Sequence, residues 1–129
     1  MIKKKVTVKD LMNQLGYECI TGDENALNRE IKVPDVNRPG LELTGYYLHS
    51  QRERVVLLGN KEMGFISGMS NEVQYSSFDF LTQKETPCII ITRGSACPTR
   101  LKEIAQRKNF PVLLCKDSTS RAMVEVVTY

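Results

Sequence analysis

Two uninterrupted apolar stretches, Cys88–Thr92 and Pro111–Cys115, flank a segment, Thr99–Lys108, whose Leu101, Ile104 and Ala105 recur at helical spacing. Strand, helix and strand within about thirty residues make a βαβ unit, and such units are almost always right-handed with their two strands parallel. This unit constrains the chain more than any other feature. It places the protein in the α/β class, with a mostly parallel sheet flanked by helices. Past Cys115, the polar run Lys116–Arg121 leads into a last helix with Met123, Val126 and Val127 as its expected apolar stripe, so the second half reads βαβα.

The first half is more broken. Val8, Leu11, Met12 and Leu15 fall at i, i+3, i+4 and i+7, Thr7 and Asp10 have capping-box spacing, and Gly16 supplies a stop, which together predict a helix from Thr7. Tyr17–Thr21 reads as a strand, Gly22–Asn25 as a turn and Glu30–Val36 as a second strand that Pro34 confines to an edge. Arg54–Leu58, closed by Gly59, reads as a buried strand. Lys61–Lys84 is helical in spacing but weakened by Gly64, Gly68 and Ser70 and interrupted at Ser76-Ser77, so two short helices are expected. Leu41–Tyr47 stays ambiguous between elements.

At 129 residues the chain is one domain, residues 1–129, long enough to bury about two-thirds of its unfolded surface without a disulfide or metal. Its longest apolar run, Cys88–Ile91, is far short of the roughly 20 residues that span a bilayer. Met1–Lys5 is basic but no apolar segment follows, so no signal peptide is read and a cytoplasmic location is expected. The net charge of +3 is scattered apart from Lys3–Lys5, which argues against a nucleic-acid-binding stripe. Four cysteines, Cys19, Cys88, Cys97 and Cys115, are widely separated, and a metal site is not expected without closely spaced ligand pairs. Cys88 and Cys115 sit in strand-like runs as small hydrophobes, and Cys97 is expected to be the most exposed.

Motifs for catalysis are missing from the sequence. G-x-x-x-x-G-K-[ST], G-x-S-x-G, H-E-x-x-H and a calcium-type acidic loop are all absent. The single histidine, His49, lies in the polar stretch Leu48–Arg52 and reads as a surface residue. No catalytic, cofactor-binding or metal-binding residue is assigned.

Two features remain. In parallel α/β sheets ligands gather outside the carboxyl ends of the strands, where helix N-termini also point. The loops after the two strands of the βαβ unit end at that edge and carry Arg93, Gly94, Ser118, Thr119, Ser120 and Arg121, a candidate anion site. The competing reading is that Ser118 or Thr119 caps the last helix and Thr99 the one before, with the arginines solvated. The second feature, Asn37–Tyr47, combines a rigid Pro39-Gly40 break with two tyrosines. Arg38, Pro39, Gly40, Tyr46 and Tyr47 fit either a packed turn or a contact patch, since tyrosine and arginine anchor interfaces.

The stretch Asp35-Val36-Asn37-Arg38-Pro39-Gly40-Leu41-Glu42-Leu43-Thr44-Gly45-Tyr46-Tyr47 resembles the D-x-x-R-P-G-L-E-x-x-G-Y-F segment in the N-terminal domain of HPr kinase/phosphorylase. Four further blocks agree in order: Val8–Leu11 with Gly22–Glu24, Arg54–Gly59, Glu85–Gly94, and Pro111–Leu114 with Thr119-Ser120. Lys61–Lys84 and Leu48-His49-Ser50 depart from the family pattern. The resemblance implies an α/β domain like the first domain of the UDP-muramyl ligases. It also implies a parent enzyme that is a cytoplasmic, ATP-dependent serine kinase and phosphorylase. That enzyme acts on HPr, the carrier of the sugar phosphotransferase system, and sets carbon catabolite repression. ATP and Mg would be held in a C-terminal domain bearing the nucleotide loop, which this chain lacks, and the full protein would be a homo-oligomer. The 129 residues then correspond to the non-catalytic N-terminal domain, as an expressed fragment or a natural short homologue, in a regulatory or oligomer-supporting role. The alternative is a standalone domain sensing a phosphorylated metabolite. Neither nucleic acid nor membrane is an expected partner.

Overall fold

The computed structural model describes residues 6–32, 36–37, 54–94 and 96–128. In chain order the elements are β1 (Val6–Thr7), α1 (Val8–Leu15), β2 (Glu18–Thr21), α2 (Glu24–Leu27), β3 (Glu30–Ile31), β4 (Val36–Asn37) and β5 (Val55–Leu58). They continue as α3 (Asn60–Ser67), α4 (Asn71–Leu81), β6 (Ile89–Ile91), α5 (Thr99–Lys108), β7 (Val112–Leu114) and α6 (Thr119–Thr128).

Five strands form one mixed sheet in the order β2-β7-β6-β5-β4. Strands β4 to β7 run parallel, with Val56 opposite Ile89 and Ile90 opposite Leu113, while β2 closes the far edge antiparallel to β7. The continuous apolar runs have a simple cause: both faces of the central strands are covered. Successive side chains on a strand point to opposite faces. Val55, Leu57, Cys88, Ile90, Leu113 and Cys115 therefore pack against α1 and α6 through Val8, Leu11, Ala122 and Val126. Val56, Leu58, Ile89, Ile91 and Val112 pack on the other face against Ile66, Phe78, Leu81, Leu101 and Ile104 of α3, α4 and α5. The result is a three-layer α/β arrangement.

Helix α1 begins and ends as its sequence dictates. The Thr7 hydroxyl accepts the Asp10 N–H at 3.1 Å and the Asp10 carboxylate accepts the Thr7 N–H at 3.1 Å, while Gly16 terminates the helix in the left-handed region at φ 72°. Helix α5 covers the predicted span, and Asn109, also left-handed at φ 53°, ends it.

Five local expectations are corrected. Gly22–Asn25 is not a simple turn: Asp23 caps the one-turn helix α2 by accepting the Ala26 N–H at 3.1 Å, and so short a helix shows no periodicity in sequence. Glu30–Val36 is not one strand. Strand β3 pairs antiparallel with β1 in a separate two-stranded sheet, and β4 joins the edge of the large one. The serines at 76 and 77 do not interrupt a helix; they lie inside α4, where the small Ser77 is 1% exposed, and the break falls at Gly68–Ser70 instead. Ser70 restarts the chain by accepting the Val73 N–H at 3.3 Å. In α6 the inward pair is Ala122 and Val126, one helical turn apart, whereas Val127 is 39% exposed. Finally, α5 is preceded by Pro98 as its N-cap, with no side-chain cap, so Thr99 is the first helical residue and not the cap.

Candidate functional site

The carboxyl edge of the parallel sheet is assembled by hydrogen bonds between loops. Thr92, fully buried at the end of β6, donates both its N–H (3.1 Å) and its hydroxyl (3.3 Å) to the Leu58 carbonyl at the end of β5. The next two N–H groups reach the other way. Arg93 donates to the Asp117 carbonyl at 2.8 Å and Gly94 to the Cys115 carbonyl at 3.0 Å, tying the β6–α5 loop to the β7–α6 loop. This geometry requires positive φ at both residues, 61° at Arg93 and 64° at Gly94. Glycine adopts it freely, but a non-glycine there stores strain of about 1 kcal/mol or more.

The structure thus brings together the two loops that carry Arg93, Gly94, Ser118, Thr119, Ser120 and Arg121, and it gives each a position. The Ser118 hydroxyl accepts the Arg121 N–H at 3.2 Å and its carbonyl accepts the Ala122 N–H at 2.9 Å, so Ser118 is the N-cap of α6. Thr119 and Ser120 are the first two residues of that helix. The Arg121 guanidinium lies 3.3 Å from the Glu125 carboxylate and 3.7 Å from that of Asp117, and it remains largely exposed. Arg93 is exposed, and its side chain makes no ion pair with a described residue. Asp117 was not singled out in the sequence, although it lies one residue before the cap and so within the first turn's field. The contact-patch residues Arg38, Pro39, Gly40, Tyr46 and Tyr47, and His49 beyond them, lie outside the described residues.

Chemistry at the thiols is suppressed by burial. It pushes Cys88 up to about 12 and Cys97 up to about 11, and it raises Cys19 and Cys115 as well. A thiolate is the reactive form, so all four cysteines are poor nucleophiles at neutral pH. Cys97, expected to be the most exposed of the four, is half-buried, as is Cys19, while Cys88 and Cys115 are buried. Burial likewise raises the Tyr17 hydroxyl, with Cys115 beside it adding to the shift. Among the described residues, no group of three or more His, Cys, Asp or Glu side chains is placed to hold a metal ion.

A second polar cluster lies at the opposite, amino end of the parallel strands, and nothing in the sequence marks it. The Arg29 guanidinium sits 4.9 Å from the centre of the Phe110 ring and donates to the carbonyls of Lys84 (2.6 Å) and Gln83 (3.3 Å) just beyond α4. Lys108, at the end of α5, pairs with Asp79 at 2.8 Å and donates to the Asp79 carbonyl and the Thr82 hydroxyl. The signal is absent from sequence because Arg29 stands in a polar stretch, 54 and 55 residues from its two carbonyl partners.

The fold and its edge define a three-layer α/β domain whose thiols are held in the unreactive form by burial. The chain matches the family described as HPr Serine kinase N terminus over residues 6–129, and it belongs to that family. It is 38% identical over 124 residues to the HPr kinase/phosphorylase of Enterococcus faecalis, covering 96% of this chain and 40% of that protein. It is 37% identical over 114 residues to the HPr kinase/phosphorylase of Lactobacillus delbrueckii subsp. bulgaricus, covering 88% of this chain and 34% of that one. The chain therefore spans well under half the length of these relatives. Among solved structures it is similar to the CBS and DRTGG domains of the regulatory region of Clostridium perfringens pyrophosphatase, complexed with the activator diadenosine tetraphosphate. The TM-score is 0.64 at 14% identity, over 94% of this chain and 46% of that one, which is a likeness of fold. Among the described residues, no helix is long and apolar enough to cross a membrane.

Proposed function

We propose that the chain acts as the N-terminal, non-catalytic domain of a bifunctional HPr serine kinase/phosphorylase in carbon catabolite repression, regulating the enzyme or supporting its oligomer. The observation that carries this reading is the match to HPr kinase/phosphorylases at 37–38% identity over only 34–40% of their length. The 129 residues contain no nucleotide loop, in keeping with a division of labour in which another domain holds ATP and Mg. HPr is then a partner of the whole enzyme, in the cytoplasm. Kinship with the first domain of the UDP-muramyl ligases is part of the same proposal and rests on the family resemblance.

The test is a chimera in which this chain replaces the matching N-terminal part of the Enterococcus faecalis enzyme. It is expected to sediment as the parent oligomer and to phosphorylate HPr. A chimera that sediments and acts like the relative with that part deleted overturns the proposal.

A second reading, recognition of a phosphorylated metabolite at the carboxyl edge, is less well supported, because Ser118 caps α6 and the Arg93 and Gly94 N–H groups are already bonded to carbonyls. Arg93 is exposed there without an ion pair to a described residue, beside the start of α6. Phosphate should then shift the amide resonances of Arg93 and Ser118–Ser120. Unchanged resonances exclude it.

A further inference from the structure

We infer that the cleft between α2 and the carboxyl ends of α4 and α5 is a binding site for a phosphate-bearing small molecule, at the sheet edge opposite Arg93. The cleft has a volume of about 430 Å³, within the range of small-molecule sites. Among the described residues its lining includes three cationic side chains, Arg29, Lys84 and Lys108, the amides of Asn25 and Gln83, and no carboxylate.

Charge decides the class of ligand. Lys108 is already neutralised by Asp79 at 2.8 Å. The Asp23 carboxylate, close by, caps α2 by accepting the Ala26 N–H at 3.1 Å and accepts from the Asn109 amide at 2.8 Å; with the Asp23 N–H donating to the Asn109 side-chain oxygen at 3.0 Å, the Asn109 bonds hold α2 against the end of α5. Arg29 and Lys84 supply the remaining positive charge of the cleft; Glu85 acts on Arg29 from the adjoining surface, where Glu30 also lies, and the lining of the cleft itself stays cationic, which suits the charge of about −2 on a phosphate group near neutral pH. Helix carboxyl ends carry partial negative charge that works against an anion. Here it is offset, because Lys108 and Arg29 already bond the carbonyls of Asp79, Gln83 and Lys84.

Geometry supports the same class. One guanidinium nitrogen of Arg29 is committed to the two carbonyls, which anchors the side chain beside the Phe110 ring and leaves Nε and the other terminal nitrogen as separate donors. Charged N–H donors held in place suit the oxygens of a phosphate. Lys84 is exposed, and its ammonium makes no hydrogen bond or ion pair with a described residue. It is the second cation of the clamp.

The experiment is a titration of the isotopically labelled chain with sodium pyrophosphate at constant ionic strength, followed by amide NMR. Saturating shifts are expected at Ala26, Arg29, Lys84 and Asn109. Lys84→Ala should raise the midpoint roughly tenfold, the loss typical of one charge-assisted hydrogen bond, and Lys84→Glu should raise it further. Both variants alter an exposed side chain, and the dispersion of their spectra reports that they fold. Shifts that never saturate, shifts centred on Arg93 and Ser118 instead, or an unchanged midpoint in both variants overturn the inference. It stands apart from the proposed function, which the chimera tests without reference to this cleft.

Discussion

Replacing Arg29 with alanine removes the side chain that fastens α2 to the segment after α4, and the structure sets the size of the loss. The bond to the Lys84 carbonyl is short at 2.6 Å, and the one to Gln83 is long at 3.3 Å, so the first carries most of the energy. A hydrogen bond involving a charged group contributes about 1.5–3 kcal/mol. The half-exposed position puts this one near the lower end, because water takes over part of the bonding in the variant. Stacking over Phe110 at 4.9 Å adds about 0.5–1 kcal/mol. The sum is about 2 kcal/mol, or roughly 6–10 °C in melting temperature for a domain of this size. Urea denaturation followed by circular dichroism measures it, with an unchanged slope expected because little surface changes. Arg29→Lys should fall between the two, since it keeps the charge but loses the fork and the stacking. An Arg29→Ala variant within 0.5 kcal/mol of the parent refutes the argument that this arginine fastens the edge.

Other perturbations test other parts of the account. Ile90, fully buried at the centre of the sheet, should cost about 2–5 kcal/mol as Ile90→Ala and about 1 kcal/mol as Ile90→Val in the same denaturation assay. Gly22→Ala should destabilise by more than about 1 kcal/mol, because Gly22 has φ +100° and an added Cβ would lie 3.1 Å from the Pro111 backbone. Ser118→Ala should cost about 1 kcal/mol by leaving the first turn of α6 uncapped, read by equilibrium unfolding. Stability should also fall at high pH. Cys88 and Cys97 have folded values raised to about 12 and about 11 from 9.0. The folded state therefore holds these protons more tightly than the unfolded chain. The associated stability is fully present below pH 9 and is lost as pH rises from 9 towards 11–12. Denaturation midpoints that stay level from pH 8 to pH 11 contradict this.

The sequence revealed the layers better than the edges. Cys88–Ile91 and Pro111–Cys115 were readable because strands covered on both faces leave no polar alternation, and the helix of residues 99–108 carries its period plainly. Thr7, Asp10 and Gly16 marked α1 because capping chemistry is local. What escaped was non-local or too short to show a pattern. Pairing of β1 with β3 joins Val6 to Ile31 across two helices and a strand, and the one turn of α2 offers a cap but no stripe. Ser76-Ser77 misled because serine is a poor helix former, yet at Ser77 packing favours a small side chain and overrides propensity. That the carboxyl-edge loops are neighbours is legible in the sequence, since parallel strands must end together. Which donors would be consumed by the Asp117 and Cys115 carbonyls depends on three-dimensional closure, and so does the Arg29 cleft.

The most direct test of the central claim uses the chain by itself. It is incubated with HPr, ATP and Mg²⁺, alongside the Enterococcus faecalis enzyme as a positive control, and phosphoserine on HPr is measured by mass spectrometry. The account predicts a cooperatively folded chain that leaves HPr unmodified while the control phosphorylates it. Phosphoserine formed in proportion to the concentration of this chain would contradict the account outright.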